Sequence, residues 1–147
     1  MAYHYKESGL DNVYLENGFK IVQTPYGEAV SIANTDGLHK LIADWIVNVP
    51  KRLNGAELRF LRLYLEQTQR DLAGLLGHDE QSIRRWEKAR TKPIHGSVDR
   101  LIRALVNECH NGDGSVRRML DRLAQLNVVE APKVRLREHS DEWALAA

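Results

Sequence analysis

Residues 12 to 33, NVYLENGFKIVQTPYGEAVSIA, alternate apolar and polar positions and are rich in Val, Ile, Tyr and Phe. A period of two with β-branched and aromatic side chains predicts strands. Asn17 and Gly18 supply the positive-φ pair of a two-residue hairpin turn, and TPYG at 24 to 27 offers a second turn in which Pro25 fixes a dihedral. A small antiparallel meander is expected. From Thr35 the period changes: Leu38, Leu41, Ile42, Trp45 and Ile46 recur at steps of three and four, an amphipathic helix that Pro50 closes. The short linker VPKRL follows.

NGAELRFLRLYLE begins with Asn54 three residues before Glu57, a capping-box spacing, and puts Leu58, Leu61 and Leu65 on one helix face. Thr68 then opens another helix with Asp71 in its first turn, running through LAGLLG to Gly77, where a helix end favours a left-handed residue. Asp79 caps the next. GSVDRLIRALVNE at 96 to 108 gives a further amphipathic helix through Val98, Leu101, Ile102 and Leu105. NGDG at 111 to 114 reads as a turn or hinge, SVRRMLDRLAQLN at 115 to 127 as a helix, and KVRLREH at 133 to 139 as an edge strand before a tail with no expected element.

The fold class expected is therefore mainly α with a small antiparallel β meander. Four segments follow: a β-rich region at 1–34 suited to partner binding, a connecting helix at 35–50, a helical domain at 51–110, and a C-terminal helix with a strand or tail at 111–147 suited to a dimer contact.

Composition narrows the chemistry. The 147 residues, 43% hydrophobic and 28% charged, are enough for one full core or two small ones. The single cysteine, Cys109, forms no internal disulfide and is expected to be a small core residue. A cytoplasmic location is the expectation. No leader pattern is visible, and apolar windows such as LIADWIV at 41 to 47 fall short of a bilayer span of about 20 residues, so no membrane insertion is expected. The six histidines are scattered, which argues against a metal site. Asp11, Glu16 and Glu28 stand without a Ser, His and Asp set or a phosphate-cradling loop, so an enzyme is not expected.

The net charge of +1 hides a division. Residues 81 to 104 carry seven basic side chains against two acidic ones, a local patch that suits an anionic partner. At 100° per residue from Ile83, Trp86 and Glu87 fall on its side of the helix, while Gln81, Arg84, Arg85 and Lys88 share the opposite arc. Basic runs on helices are usually solvated faces. Here, however, a short helix anchored by Ile83 and Trp86 presents amide and guanidinium groups of the kind that read adenine and guanine in the major groove. A preceding short helix and a tight turn complete a helix-turn-helix.

TQRDLAGLLGHDEQSIRRWEKARTKP, with Gln69 opening one helix, Ala73 at the crossing, Gly77 in the turn and Ile83, Trp86 and Glu87 in the next, resembles the helix-turn-helix of Xre, Cro and phage repressors. The likeness spans residues 54 to 108 and implies a domain of about five helices. It is similar in particular to the MqsA-type antitoxins of toxin-antitoxin operons, in which a small N-terminal domain precedes such a motif. That resemblance implies that Gln69 braces on a phosphate and that Gln81 and Arg85 read bases with Arg84 and Lys88 in support; Ser82 is expected at the same surface, and Arg90, Thr91 and Lys92 of the following loop are placed to hold phosphates. Glu87 would be a structural acid paired with an arginine, and Glu80 would flank the surface. MqsA-type N-terminal domains are organised by zinc through paired cysteines, and none occurs in residues 1 to 108. A metal-free core of Tyr3, Tyr5, Tyr14 and Phe19 is expected in its place. The implied protein is a dimeric, cofactor-free repressor on a palindromic double-stranded operator, with a cognate toxin as a further partner; the alternative is a plain phage- or plasmid-type repressor. The apolar stripe Val116, Met119, Leu120 and Leu123 suits either intramolecular packing or a homodimer contact.

Overall fold

A computed structural model describes residues 2–125 and 133–146. It is mainly α with small antiparallel two-stranded sheets. In chain order the elements are β1 (Tyr3–His4), a 3-10 turn (Lys6–Ser8), β2 (Tyr14–Leu15), β3 (Phe19–Thr24), β4 (Gly27–Ile32) and α1 (Thr35–Asn48). Then come α2 (Gly55–Tyr64), α3 (Gln69–Leu76), α4 (Glu80–Lys88), α5 (Gly96–Asn111), α6 (Ser115–Ala124), β5 (Leu136–His139) and β6 (Glu142–Leu145). Among the described residues no helix is long and apolar enough to cross a membrane.

The strands form pairs, not one meander. Thr24 and Gly27 face each other across the Pro25-Tyr26 turn, closing the β3–β4 hairpin as the TPYG signal requires. Asn17 and Gly18 close no hairpin, because β2 pairs with β1 instead of β3. Gly18 takes φ 78°, and its carbonyl accepts the amide of Ala33 at 2.9 Å, so this bend extends the β3–β4 ladder. The aromatic core is also smaller than expected. Tyr5 is buried and its hydroxyl lies 2.7 Å from His39 Nε2, while Tyr3 and Phe19 are half-buried. Tyr14 faces solvent, stacked on His4, because its strand neighbour Leu15 takes the inward face and successive side chains alternate.

Helix signals translate closely. Asn54 and Glu57 form a reciprocal capping box on α2, Thr68 and Asp71 form one on α3, and Gly77 ends α3 at φ 71°. One apolar core joins Tyr5, Leu10 and Leu15 to Ile42, Ile46, Leu58, Leu61, Leu72, Ile83, Val98 and Ile102. Fully burying each of the larger aliphatic side chains stabilises by about 1.5–3 kcal/mol. On α1, however, Ile42, Ala43 and Ile46 take the inward positions, leaving Leu41 67% and Trp45 52% exposed. Cys109 is exposed as well, because the inward positions of α5 are taken by Val98, Ile102, Leu105 and Val106.

Polar ties position the helices. Asp99 accepts the amide of Leu53 at 2.6 Å and pairs with Arg103 at 2.7 Å, while Arg103 also donates to the carbonyls of Val47, Val49 and Lys51. The VPKRL linker is thus stapled to α5. His110 is held between Tyr64 Oη and Asp44 Oδ1, each at 2.5 Å, which joins α1, α2 and α5 and occupies both ring nitrogens. The C-terminal segment carries a β5–β6 hairpin, with Leu136 opposite Leu145, where the sequence suggested one strand and a tail. Residues 126–127, the expected end of the 115–127 helix, lie outside the described residues.

Gly55 is the tightest backbone contact near the helix-turn-helix: a Cβ there would sit 2.0 Å from the carbonyl oxygen of Trp86 and 2.8 Å from that of Ala89. Both are backbone atoms with no side-chain freedom to yield. Gly55→Ala should therefore cost about 3 kcal/mol, read as a lowered midpoint in urea denaturation; an unchanged midpoint would refute this packing of α2 against the end of α4.

Candidate nucleic-acid interface

α3 and α4 are joined by Gly77, His78 and Asp79. The amide of His78 donates to the Ala73 carbonyl at 3.0 Å, and Asp79 Oδ1 accepts the Ser82 amide at 2.6 Å. That hydrogen bond holds the Asp79 carboxyl below the ordinary carboxylate range. A depressed folded-state value means the capping contribution is present at neutral pH and is lost only as pH falls through it.

The inward face of α4 is fixed by three side chains. Ile83 is fully buried in the core, and Trp86 is half-buried with its ring 5.2 Å from His78 and 6.1 Å from His95. Glu87 is buried and accepts two bonds from Arg62 of α2, Nε to Oε2 at 2.7 Å and Nη2 to Oε1 at 2.9 Å. Arg62 Nη1 also donates to the Gln67 carbonyl at 2.9 Å. The fork of Arg62 matches a carboxylate at both nitrogens, so the pair sets the angle of α4 as well as its distance.

Gln81, Arg84, Arg85 and Lys88 are all exposed on the outward face. Arg84 is drawn toward Glu80 at 2.9 Å, one turn back, and the Arg85 guanidinium lies 5.9 Å from the Trp86 ring centroid. Such a cation–π contact steadies an exposed arginine without consuming its donors. Thr91 and Lys92 are exposed in the following loop, whose backbone is held by bonds from the Ala56 amide to the Arg90 carbonyl and from the Ile94 amide to the Leu53 carbonyl.

Besides Arg84, two of the residues expected to contact DNA, Gln69 and Arg90, have side chains bonded within the chain. Gln69 is half-buried, and its amide nitrogen donates to Glu87 Oε1 at 3.2 Å, so it joins the Arg62–Glu87 pair. Ser82 is half-buried and gives its amide to the Asp79 cap. Arg90 Nη2 reaches the N-terminal segment, 3.0 Å from both the Gly9 carbonyl and Asp11 Oδ1. No local signal pairs Arg90 with Asp11, since 79 residues separate them.

No protein-family model, curated protein or solved structure matches this chain. The surface is an exposed cationic arc on a short helix whose opposite face is locked against α2 and α3.

Glu87→Ala should leave the Arg62 guanidinium buried without its acid, at a cost of about 3–5 kcal/mol, whereas Arg62→Met with Glu87→Leu should recover most of that stability. Urea denaturation of the variants measures both. Equal stability of Glu87→Ala and the parent would refute the buried pair.

Proposed function

We propose that this protein is a sequence-specific DNA-binding transcriptional regulator that inserts α4 into the major groove. The observation that carries it is the division of α4: Ile83, Trp86 and Glu87 are committed to the interior, while Gln81, Arg84, Arg85 and Lys88 project outward. Gln81 and Arg85 read base edges, because their planar amide and guanidinium groups pair bidentately with adenine and guanine. Arg84 and Lys88 support them, and Thr91 and Lys92 hold phosphates. Arg90 joins these when a phosphate displaces Asp11. The helix-turn-helix resemblance to Xre, Cro and phage repressors supports the same placement.

In this reading two chains pair on a palindromic operator, with half-sites about 34 Å apart. The exposed Val116, Met119 and Leu123 of α6 form an apolar stripe suited to the two-fold contact. A second task falls to the N-terminal region: binding a co-expressed toxin, with the complex repressing its own operon. A groove of about 360 Å³ lined by Val13, Tyr14, Leu15, Leu38, Leu41 and Trp45 favours that role over a plain repressor. Residues 1 to 50 carry six acidic side chains against three lysines, so the matching partner is a protein with an apolar anchor and a basic surround.

Footprinting on the DNA upstream of the protein's own gene, with and without the product of the adjacent gene, tests both tasks. Arg85→Ala should cost about 1–3 kcal/mol of operator affinity and relax preference at one base pair, while Lys92→Ala should weaken all sequences alike. Unchanged operator affinity in Arg85→Ala would sink the placement of α4. Asp11→Asn should release Arg90 and raise operator affinity, whereas Arg90→Ala should flatten the salt dependence of binding by about one phosphate's share. An unaltered slope in Arg90→Ala means that Arg90 does not reach the backbone. Loss of partner binding in Trp45→Ala, with operator binding intact, is the outcome expected of the groove; a partner bound equally well argues for the plain repressor.

A further inference from the structure

Each of the two C-terminal elements carries an apolar face that the single chain leaves open. On α6, Val116, Met119 and Leu123 recur at steps of three and four, so they form one stripe, and all three are exposed. A groove of about 510 Å³ runs beside it, lined by Met119, Arg122, Leu123 and Gln125. At 100° per residue Arg118 and Arg122, both exposed, border the stripe on its Met119 side.

In the β5–β6 hairpin Ser140 and Asp141 both take positive φ, 53° and 64°, the conformation of a tight two-residue turn, so the register is fixed. Residues directly opposite share a face. Leu136, Leu145, Trp143 and Glu138 therefore lie on one side, and Arg137, Ala144, His139 and Glu142 on the other. Leu136, Trp143 and Leu145 are all more than half exposed. A lone two-stranded hairpin is marginal in water, and packing its apolar face on a helix is one of the ways it becomes stable.

We propose that in a pair of chains the hairpin of each lies across α6 of the other, with Leu136, Trp143 and Leu145 on the Val116, Met119 and Leu123 stripe and Glu138 meeting Arg122. This rests on the two-chain reading above and names what covers the stripe. Within one chain both faces stand open at once, and a crossed pair matches each with its complement. Charge selects the crossing: two α6 stripes laid together would bring Arg118 and Arg122 against their own copies, and two hairpin faces would bring Glu138 against Glu138. The crossed arrangement sets acid against base. The six side chains on each of two chains amount to about 1,500 Å² of apolar surface, within the roughly 1,200–2,000 Å² that a stable interface buries. Arg137 and His139, on the other side of the hairpin, stay in solvent.

Sedimentation and cross-linking of the full chain without DNA, in a Cys109→Ser background, provide the test. Met119→Cys and Leu145→Cys chains, co-expressed and treated with a short bismaleimide, should give a covalent heterodimer. Both positions are exposed, so neither substitution disturbs the core. A pair joined through α6 alone would cross-link Met119→Cys chains to each other, and one joined through hairpins would cross-link Leu145→Cys chains to each other. A hairpin closing on its own α6 would cross-link only within a chain carrying both substitutions. Each of these three patterns overturns the proposal. Glu138→Arg should raise the dimer Kd about tenfold, and adding Arg122→Glu should recover most of that loss; equal Kd in all three forms also overturns it. A chain that sediments as a monomer overturns this arrangement and the two-chain reading together, whereas a dimer without the heterodimer cross-link overturns this arrangement alone.

Discussion

The arrangement of the helix-turn-helix depends on one buried charge pair. Glu87 sits on the inward face of α4, Arg62 reaches it from α2 with two nitrogens, and Gln69 adds an amide from the start of α3. Three helices are thereby referred to a single carboxylate. Apolar packing at Ile83, Leu61 and Leu72 holds the same helices together, but packing alone is non-directional. The fork of a guanidinium on a carboxylate is directional, and it fixes how α4 is turned about its own axis. Rotation of α4 by one residue position would carry Arg84 or Lys88 inward, so the pair determines which side chains the surface presents.

The outward arc of α4 carries its positive charge among compensating neighbours. Arg84, Arg85 and Lys88 lie close together, and their mutual repulsion is offset by Glu80 beside Arg84 and by the Trp86 face near Arg85. Farther along, Arg90 is neutralised by Asp11 of the N-terminal segment. The segment that follows Asp11, residues 12 to 15, lines the groove against α1. A short stretch of chain thus links the apolar groove beside α1 to Arg90 in the loop after α4.

The main core runs from Tyr5 and Leu15 through the helices. What lies outside it is instructive: the Leu41 and Trp45 side of α1, the Val116, Met119 and Leu123 stripe of α6, and the exposed Trp143 and Leu145 of the β5–β6 hairpin. These are large apolar side chains left in water at three separate places. Leu75 and Leu105, buried between α3, α5 and α6, also lie outside the main core.

Local signals carried the helices and their ends. Asn54 with Glu57, Thr68 with Asp71, and Gly77 are caps whose partners lie within a turn, so the sequence by itself specified where α2 and α3 begin and where the tight turn falls. The inward and outward faces of α4 followed from helical periodicity alone. Three other features required the tertiary structure. Whether Asn17-Gly18 closes a hairpin depended on β2 pairing with β1 and not with β3. Gln69 and Arg90 bond to Glu87 and Asp11, partners 18 and 79 residues away that no local pattern names. That the Val116, Met119 and Leu123 side of α6 stays open depends on which side packs on α3 and α5. A local pattern records what a residue can do with its chain neighbours, whereas the partner it meets is set by contacts whose separation along the chain leaves no local trace.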